Sequence, residues 1–63
     1  MCLSSAYVTV DGKQDALITK NVTSVSIEGD SVVLYDLLGE KTEVIGKIKR
    51  VDFIKNSLVI KTA

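Results

Sequence analysis

Two patterns in the sequence predict an all-β fold. No segment of helical length carries apolar residues at the spacing of three and four that marks an amphipathic helix. Instead, short stretches of alternating apolar and polar residues are separated by tight turns at intervals of about ten residues. This spacing is typical of small closed sheets, so the sequence predicts a strongly bent SH3-like barrel of five to seven short antiparallel strands. The chain has 63 residues, and a single domain over 1–63 is expected.

The composition is compatible with a folded core but leaves little stability to spare. Hydrophobic residues make up 46% of the chain, and there are only 4 glycines and no proline, which argues against disorder. A domain of this size buries only about 60% of the surface that its unfolded chain exposes. We therefore expect self-association or a bound metal to add stability.

The charges give no general attraction to nucleic acid or to anionic membranes. Eight basic side chains balance eight acidic ones, so the summed field of the chain is weak. The first residues lack the pattern of an export signal, and no apolar stretch approaches the length of about 20 residues needed to span a membrane. These features predict a cytoplasmic protein with neither a membrane nor a nucleic acid as its partner.

The first half of the chain is predicted to form three strands. Residues 2–10 alternate in polarity and end at Asp11-Gly12, a strong hairpin signal. A returning strand is expected over 15–19, because β-favouring residues resume there. Residues 20–21 interrupt the pattern, and 22–28 alternates again as a strand with one wet face.

The segment 31–38 is apolar on both faces of its predicted strand. One face carries Val32, Leu34 and Leu38, and the other carries Val33, Tyr35 and Leu37. Such a strand lies either at the centre of two layers or under a second subunit. Because so short a chain has little else to cover it, the pattern favours a homodimer.

The last part of the chain is predicted to form another bent strand and a hairpin. Strand character resumes over 41–48, with Gly46 expected at a bulge or a sharp bend where the sheet curls over. Residues 51–54 and 58–61 then form a hairpin around 55–57.

The amino terminus is the only place where the chain could bind a soft metal. Cys2 is the single cysteine, and the chain has no histidine. The Met1 amine, the Cys2 amide nitrogen and the Cys2 thiolate could close two small chelate rings around one ion. If Met1 is removed, the amine and thiolate of Cys2 still form a five-membered chelate. Nitrogen and thiolate donors in a plane suit Ni(II) or Cu(II), whereas zinc usually needs more cysteines or histidines.

These donors leave at least one coordination position open. A symmetric dimer that brought two copies of Cys2 together would complete a four-donor site on its twofold axis. The simpler alternative to metal binding is that Cys2 is an inert hydrophobic residue.

The amino-terminal pair is followed by a recognisable series of motifs. They are Met1-Cys2, the strand-like segment 22–27, Glu28-Gly29-Asp30, the segment 33–38 with Gly39-Glu40, Gly46-Lys47-Ile48 and the segment 51–53. The series covers nearly the whole chain and resembles the CooT family of small nickel-binding proteins. Its chemically specific part is the Met-Cys start.

The resemblance implies a homodimer of small SH3-like barrels that binds Ni(II) through the cysteine matching Cys2. It also implies a nickel metallochaperone for maturation of carbon monoxide dehydrogenase or of another nickel-requiring client enzyme. Some family members carry a histidine-rich or acidic tail that these residues lack, which argues against nickel storage and leaves delivery or sensing. We expect Cys2 and Met1 to supply the metal ligands, and no enzymatic activity.

Two other functional classes compete with nickel binding: an enzyme and a module that binds RNA or protein. An amino-terminal cysteine nucleophile occurs in glutamine amidotransferases, but those domains are several times longer and nothing here could form the rest of their site. A small β-barrel module that binds RNA or protein without a metal is the stronger alternative. Its candidate surface is a basic cluster with one aromatic side chain, formed by Lys47, Lys49, Arg50, Lys55 and Phe53. A solvated basic edge that discourages aggregation is the simpler account of that cluster.

Overall fold

The computed structural model describes residues 3–9 and 15–62. It contains five strands, β1 (Ser4–Thr9), β2 (Ala16–Glu28), β3 (Ser31–Asp36), β4 (Lys41–Asp52) and β5 (Ser57–Thr62). Each strand pairs with the next along the chain, and β5 pairs with β1 to close a barrel. The predicted all-β class is confirmed. The described residues form five strands, the smallest number that the sequence predicted.

The closing pair departs from the predicted antiparallel arrangement. Four of the five pairings are antiparallel, whereas β1 and β5 run parallel. The reason is geometric: when strands alternate in direction along the chain, the first and the last of an odd number point the same way. A five-stranded barrel in chain order therefore has to close on a parallel pair.

β2 joins two segments that the sequence predicted as separate strands. The predicted break at 20–21 is a bend within one strand, and Asn21 there has a φ of 58°. Asparagine tolerates this left-handed conformation better than most residues. Ser4 pairs with Val22 and Ala6 pairs with Thr19, so β2 carries one extra residue at the bend. The bend allows the start of β2 to pair with β1 and its end to pair with β3.

β4 also pairs with two neighbouring strands, and its pairing partner changes at Gly46. The strand pairs with β3 as far as Ile45 and with β5 from Gly46 onward. A Cβ atom at Gly46 would clash with the carbonyl oxygen of Lys61 and lie 3.0 Å from the Cα of Thr62. Glycine is therefore required by the close approach of two backbones, as expected where the sheet curls. The irregularity in pairing with β5 comes later, between Ile48 and Arg50.

The core is a single apolar cluster to which every strand contributes. Its buried members are Ala6, Val22, Val32, Leu34, Leu58 and Ile60, and Ile18, Val44 and Ile48 pack against them. Alternation along each strand sends these side chains inward. The interior is thus filled by small and branched aliphatic residues, which suit a narrow barrel.

The strand that is apolar on both faces is largely buried within one chain. Val32, Val33 and Leu34 are all buried, so Val33 needs no second subunit to cover it. The strand ends at Asp36, and Leu37 and Leu38 lie in the following turn with 62% and 82% of their surface exposed. The strand predicted over 31–38 is therefore too long by two residues. The homodimer stays a prediction.

We predict that Gly46→Ala destabilises the barrel by about 2 kcal/mol or more, because the added methyl group can be accommodated only by moving the β5 backbone. Urea unfolding monitored by circular dichroism measures the loss. Glu43→Ala is the matched control, since Glu43 lies exposed on the same strand and should change the free energy of unfolding by less than about 0.5 kcal/mol. Equal effects of the two substitutions would contradict the close approach at Gly46.

Candidate metal site at the open end of the barrel

The two predicted metal ligands, Met1 and Cys2, lie outside the described residues. The structure does describe the part of the barrel to which they are attached. Leu3 is half-buried, and β1 begins one residue later at Ser4. The surroundings of Ser4 therefore define where the amino terminus is tethered.

The parallel pairing of β1 with β5 brings two segments to the same end of the barrel. Ser5 is the partner of Ser57, and its amide donates a hydrogen bond of 2.9 Å to the carbonyl oxygen of Asn56. Because the two strands point the same way, Ser4 and the turn before Ser57 lie at the same end of the barrel. The start of β1 is thus beside the β4–β5 turn.

This end of the barrel is open, and we call the opening the mouth. It is a cavity of about 310 Å³ lined by Ser4, Val22, Thr23, Ser24, Val25, Ile48, Val51, Phe53, Ser57 and Leu58. Ile48 and Leu58 pack in the core, so the cavity reaches the interior of the barrel. On its rim, Val25, Val51 and Phe53 expose 38%, 45% and 87% of their surface. The mouth is therefore an apolar surface around the start of β1.

A rigid turn holds Phe53 at the rim. The Asp52 carboxylate oxygen Oδ1 accepts hydrogen bonds from the amides of Ile54 at 3.0 Å and Lys55 at 2.9 Å. The bond from Lys55, helped by the bond from Ile54 and by the charges of Lys55 and Arg50, lowers the pKa of the Asp52 carboxyl below its usual value. Asn56 closes the turn with a φ of 52°. The strand predicted over 51–54 is therefore wrong beyond Asp52, because this side chain caps a turn there.

A second turn, which follows β3, uses the same device. The Asp36 carboxylate oxygen Oδ1 accepts hydrogen bonds of 2.9 Å from the amides of Leu38 and Glu40. Thr23 Oγ1 donates to the carbonyl oxygens of Tyr35 and Asp36 at 3.2 and 3.3 Å. These carboxylate and carbonyl oxygens already accept hydrogen bonds that stabilise the turns.

The described residues offer no separate metal centre. Across 3–9 and 15–62, no three side chains of histidine, cysteine, aspartate or glutamate come together. The amine, amide nitrogen and thiolate of Met1-Cys2 are donors that fit a metal that prefers nitrogen and sulfur in a plane. The described residues contribute the attachment point at Ser4 and the apolar surroundings of the mouth.

The residues predicted for the RNA alternative separate into two places. Phe53 lies on the rim of the mouth, whereas Arg50 and Lys55 line a groove on the outer wall of the barrel. The aromatic ring is thus not interleaved with the cations as the sequence suggested. Sequence reasoning missed the mouth altogether, although Asp52 followed by Asn56 is a turn signal that could have placed Phe53 outside a strand.

A family model and a curated relative both match nearly the whole chain. A family model described as "CO dehydrogenase accessory protein CooT" matches residues 1–61. An uncharacterized protein from Methanocaldococcus jannaschii, MJ1551, is 38% identical over 60 residues, which cover 95% of this chain and 96% of that protein. The family match begins at residue 1 and therefore includes both predicted ligands.

A solved structure extends the likeness to the fold. The crystal structure of a protein from Carboxydothermus hydrogenoformans, provisionally assigned as CooT, superposes with a TM-score of 0.87 and covers 98% of each chain. The two sequences are 19% identical, so this match concerns the fold alone. Within the described residues, no helix is long and apolar enough to cross a membrane.

Proposed function

The chain belongs to the CooT family of carbon monoxide dehydrogenase accessory proteins, and from this premise we propose that it binds Ni(II) through Met1 and Cys2 and delivers it to a client enzyme. Family membership identifies an accessory protein and confirms the prediction that the chain is not itself an enzyme. The observation that carries the proposal is the Met-Cys start within a family match that begins at residue 1.

The donor chemistry supports nickel as the cargo. The Cys2 thiolate is the essential ligand, and the Met1 amine and the Cys2 amide nitrogen complete two chelate rings with it. Such strong-field donors favour a planar ion over tetrahedral zinc, which usually takes four ligands from cysteine and histidine. A reducing cytoplasm keeps the lone thiol free for the metal, which fits a cytoplasmic location.

The mouth provides the surroundings in which such a site would operate. Cys2 is two residues from Ser4, so covalent geometry keeps their Cα atoms within about 7 Å of each other. The proposed site is thereby tethered to Ser4, which lines the mouth together with Val25, Val51 and Phe53. An apolar rim lowers the access of water and favours contact with another protein, and both properties suit a carrier that must release its metal only to a partner.

A homodimer through the mouth would bring two amino termini together. Phe53 and Ile54 expose 87% and 95% of their surface beside Val51, and apolar clusters of this kind mark interfaces. In an isologous contact the same patch meets itself across a twofold axis, so each copy contributes the same donors. Two thiolates could then share one Ni(II), which fills the open coordination position.

The client is a nickel-requiring enzyme. The family description names carbon monoxide dehydrogenase, and we propose that this chain serves that enzyme or another one that takes nickel. In this proposal the chain is linked to its client by the metal that it delivers and not by a catalytic group.

The first test is titration of Ni(II) into the wild type and into Cys2→Ser. We expect the wild type to show thiolate-to-nickel charge-transfer absorption and the variant to lose that absorption and bind at least tenfold more weakly, since the only soft donor is removed. Thr19→Ser is a control that leaves the donors unchanged. Binding of the variant with the same affinity and absorption would refute the proposal.

The second test addresses the homodimer. Phe53→Glu places a charge on the rim of the mouth and should shift the protein to monomer in analytical ultracentrifugation, because an unpaired buried charge opposes association. Leu38→Glu is the matched control, since Leu38 is 82% exposed in a different turn and should leave the sedimentation coefficient unchanged. A dimer that persists in Phe53→Glu, or that Leu38→Glu abolishes, would exclude the mouth as the interface.

A further inference from the structure

The outer wall of the barrel carries a depression centred on Val59. Leu58 and Ile60 belong to the core cluster, so alternation along β5 points the Val59 side chain outward. Val59 is nevertheless only 6% exposed. Its register partners are Tyr7 on β1 and Arg50 on β4, and these longer side chains rise on either side of it.

The depression is a groove with a defined lining, and we call it the Val59 groove. It has a volume of about 260 Å³ and is lined by Tyr7, Asp15, Arg50, Lys55, Ser57 and Val59. An adjoining depression of about 220 Å³ shares Asp15, Arg50 and Val59 and adds Lys49. The floor is apolar, one wall is aromatic, and the opposite wall is cationic.

The charges of the described residues are unevenly distributed between two walls. The exposed cations Lys49, Arg50 and Lys55 lie on the second half of β4 and in the turn after it. The wall formed by the end of β2, β3 and the start of β4 carries mostly acidic side chains, with Lys41 among Glu28, Asp30, Asp36, Glu40 and Glu43. Although the chain has a net charge of zero, basic side chains are therefore concentrated beside the groove, where they favour an anionic partner.

Asp52 offsets part of the positive charge of these cations. The charges of Lys55 and Arg50 both help to lower the pKa of its carboxyl, although its Oδ1 also accepts hydrogen bonds from the amides of Ile54 and Lys55. Among the described residues, Asp15 is the acidic side chain that lines the groove itself. The three cations therefore still outnumber these two carboxylates, and Asp15 is an acceptor among them.

We propose that the Val59 groove docks an acidic segment of a partner protein. Carboxylates of the segment pair with Lys49, Arg50 and Lys55, and an apolar side chain of the segment packs against Tyr7 and Val59. Arg50 can bind a carboxylate through two parallel hydrogen bonds. This surface is on the wall of the barrel, apart from the rim residues proposed for the dimer, and its occupation does not require a metal.

The lining favours a peptide over a nucleic acid. Arg50 is the only arginine of the chain, and a single arginine with two lysines is a small footprint for a phosphate backbone. Asp15 can accept a hydrogen bond from a backbone amide of a peptide, and a sugar-phosphate backbone has no such donor. Tyr7 is half-buried and offers less of its ring for base stacking than an open platform does.

The test measures binding of a fluorescein-labelled Glu-Glu-Leu-Glu-Glu-Leu peptide to the metal-free protein by fluorescence anisotropy. We expect Arg50→Glu to weaken binding at least tenfold, because it removes the central cation and adds a repelling charge. Lys41→Glu makes the same change of charge on the same strand outside the groove and should weaken binding less than threefold. Circular dichroism establishes that each variant is folded, and Lys55→Glu replaces Arg50→Glu if the latter is not.

Two further probes decide the class of the partner. The peptide with glutamine in place of glutamate should bind at least tenfold more weakly, and a labelled single-stranded oligouridine should bind more weakly than the acidic peptide. The proposal is overturned if the acidic peptide does not bind, if Lys41→Glu weakens binding as much as Arg50→Glu does, or if the oligouridine binds more tightly.

Discussion

The parallel pairing between β1 and β5 is the contact that turns five strands in chain order into a closed barrel. It removes both free edges of the sheet, which a chain of this size could not otherwise cover. It also sets the position of the amino terminus, because Ser4 and the turn before Ser57 come to the same end. Closure further requires β4 to pass from β3 to β5, and only glycine at position 46 permits that approach. The location of the proposed nickel site thus follows from how the barrel closes.

Much of the fold could be predicted from local patterns, and the errors came from contacts distant in sequence. Alternation identified the strands, and glycine within a strand indicated a special position at Gly46, where β4 passes from β3 to β5. The bend at Asn21 was mistaken for a break, because a strand that continues through a left-handed residue has the same local sequence as two strands with a turn. Phe53 was assigned to a strand because its apolar character outweighed the capping role of Asp52. No local pattern encodes the parallel closure, which depends on the number of strands.

The candidate site was predicted by a different kind of information. Elimination of other soft donors directed attention to Cys2, and the family resemblance supplied nickel and its client. Neither source indicated the apolar mouth or the Val59 groove, since both are assembled from residues on three or more segments. The scaffold adds to the amino-terminal donors a tether at Ser4, an apolar rim and a cationic wall. These are the features by which an accessory protein without catalytic groups could place its metal against another protein.

The most direct measurement of the central claim is a Ni(II) titration followed by amide chemical shifts in solution NMR. If the amino terminus binds nickel at the mouth, the largest shifts among the described residues should fall at Leu3–Ser5, along Thr23–Val25 and in the turn from Phe53 to Asn56. The separate cavity whose lining includes Asp30, Gly46 and Thr62 shares no residue with the mouth and should change little. Shifts concentrated at that cavity, or spread evenly over the barrel, would contradict the account.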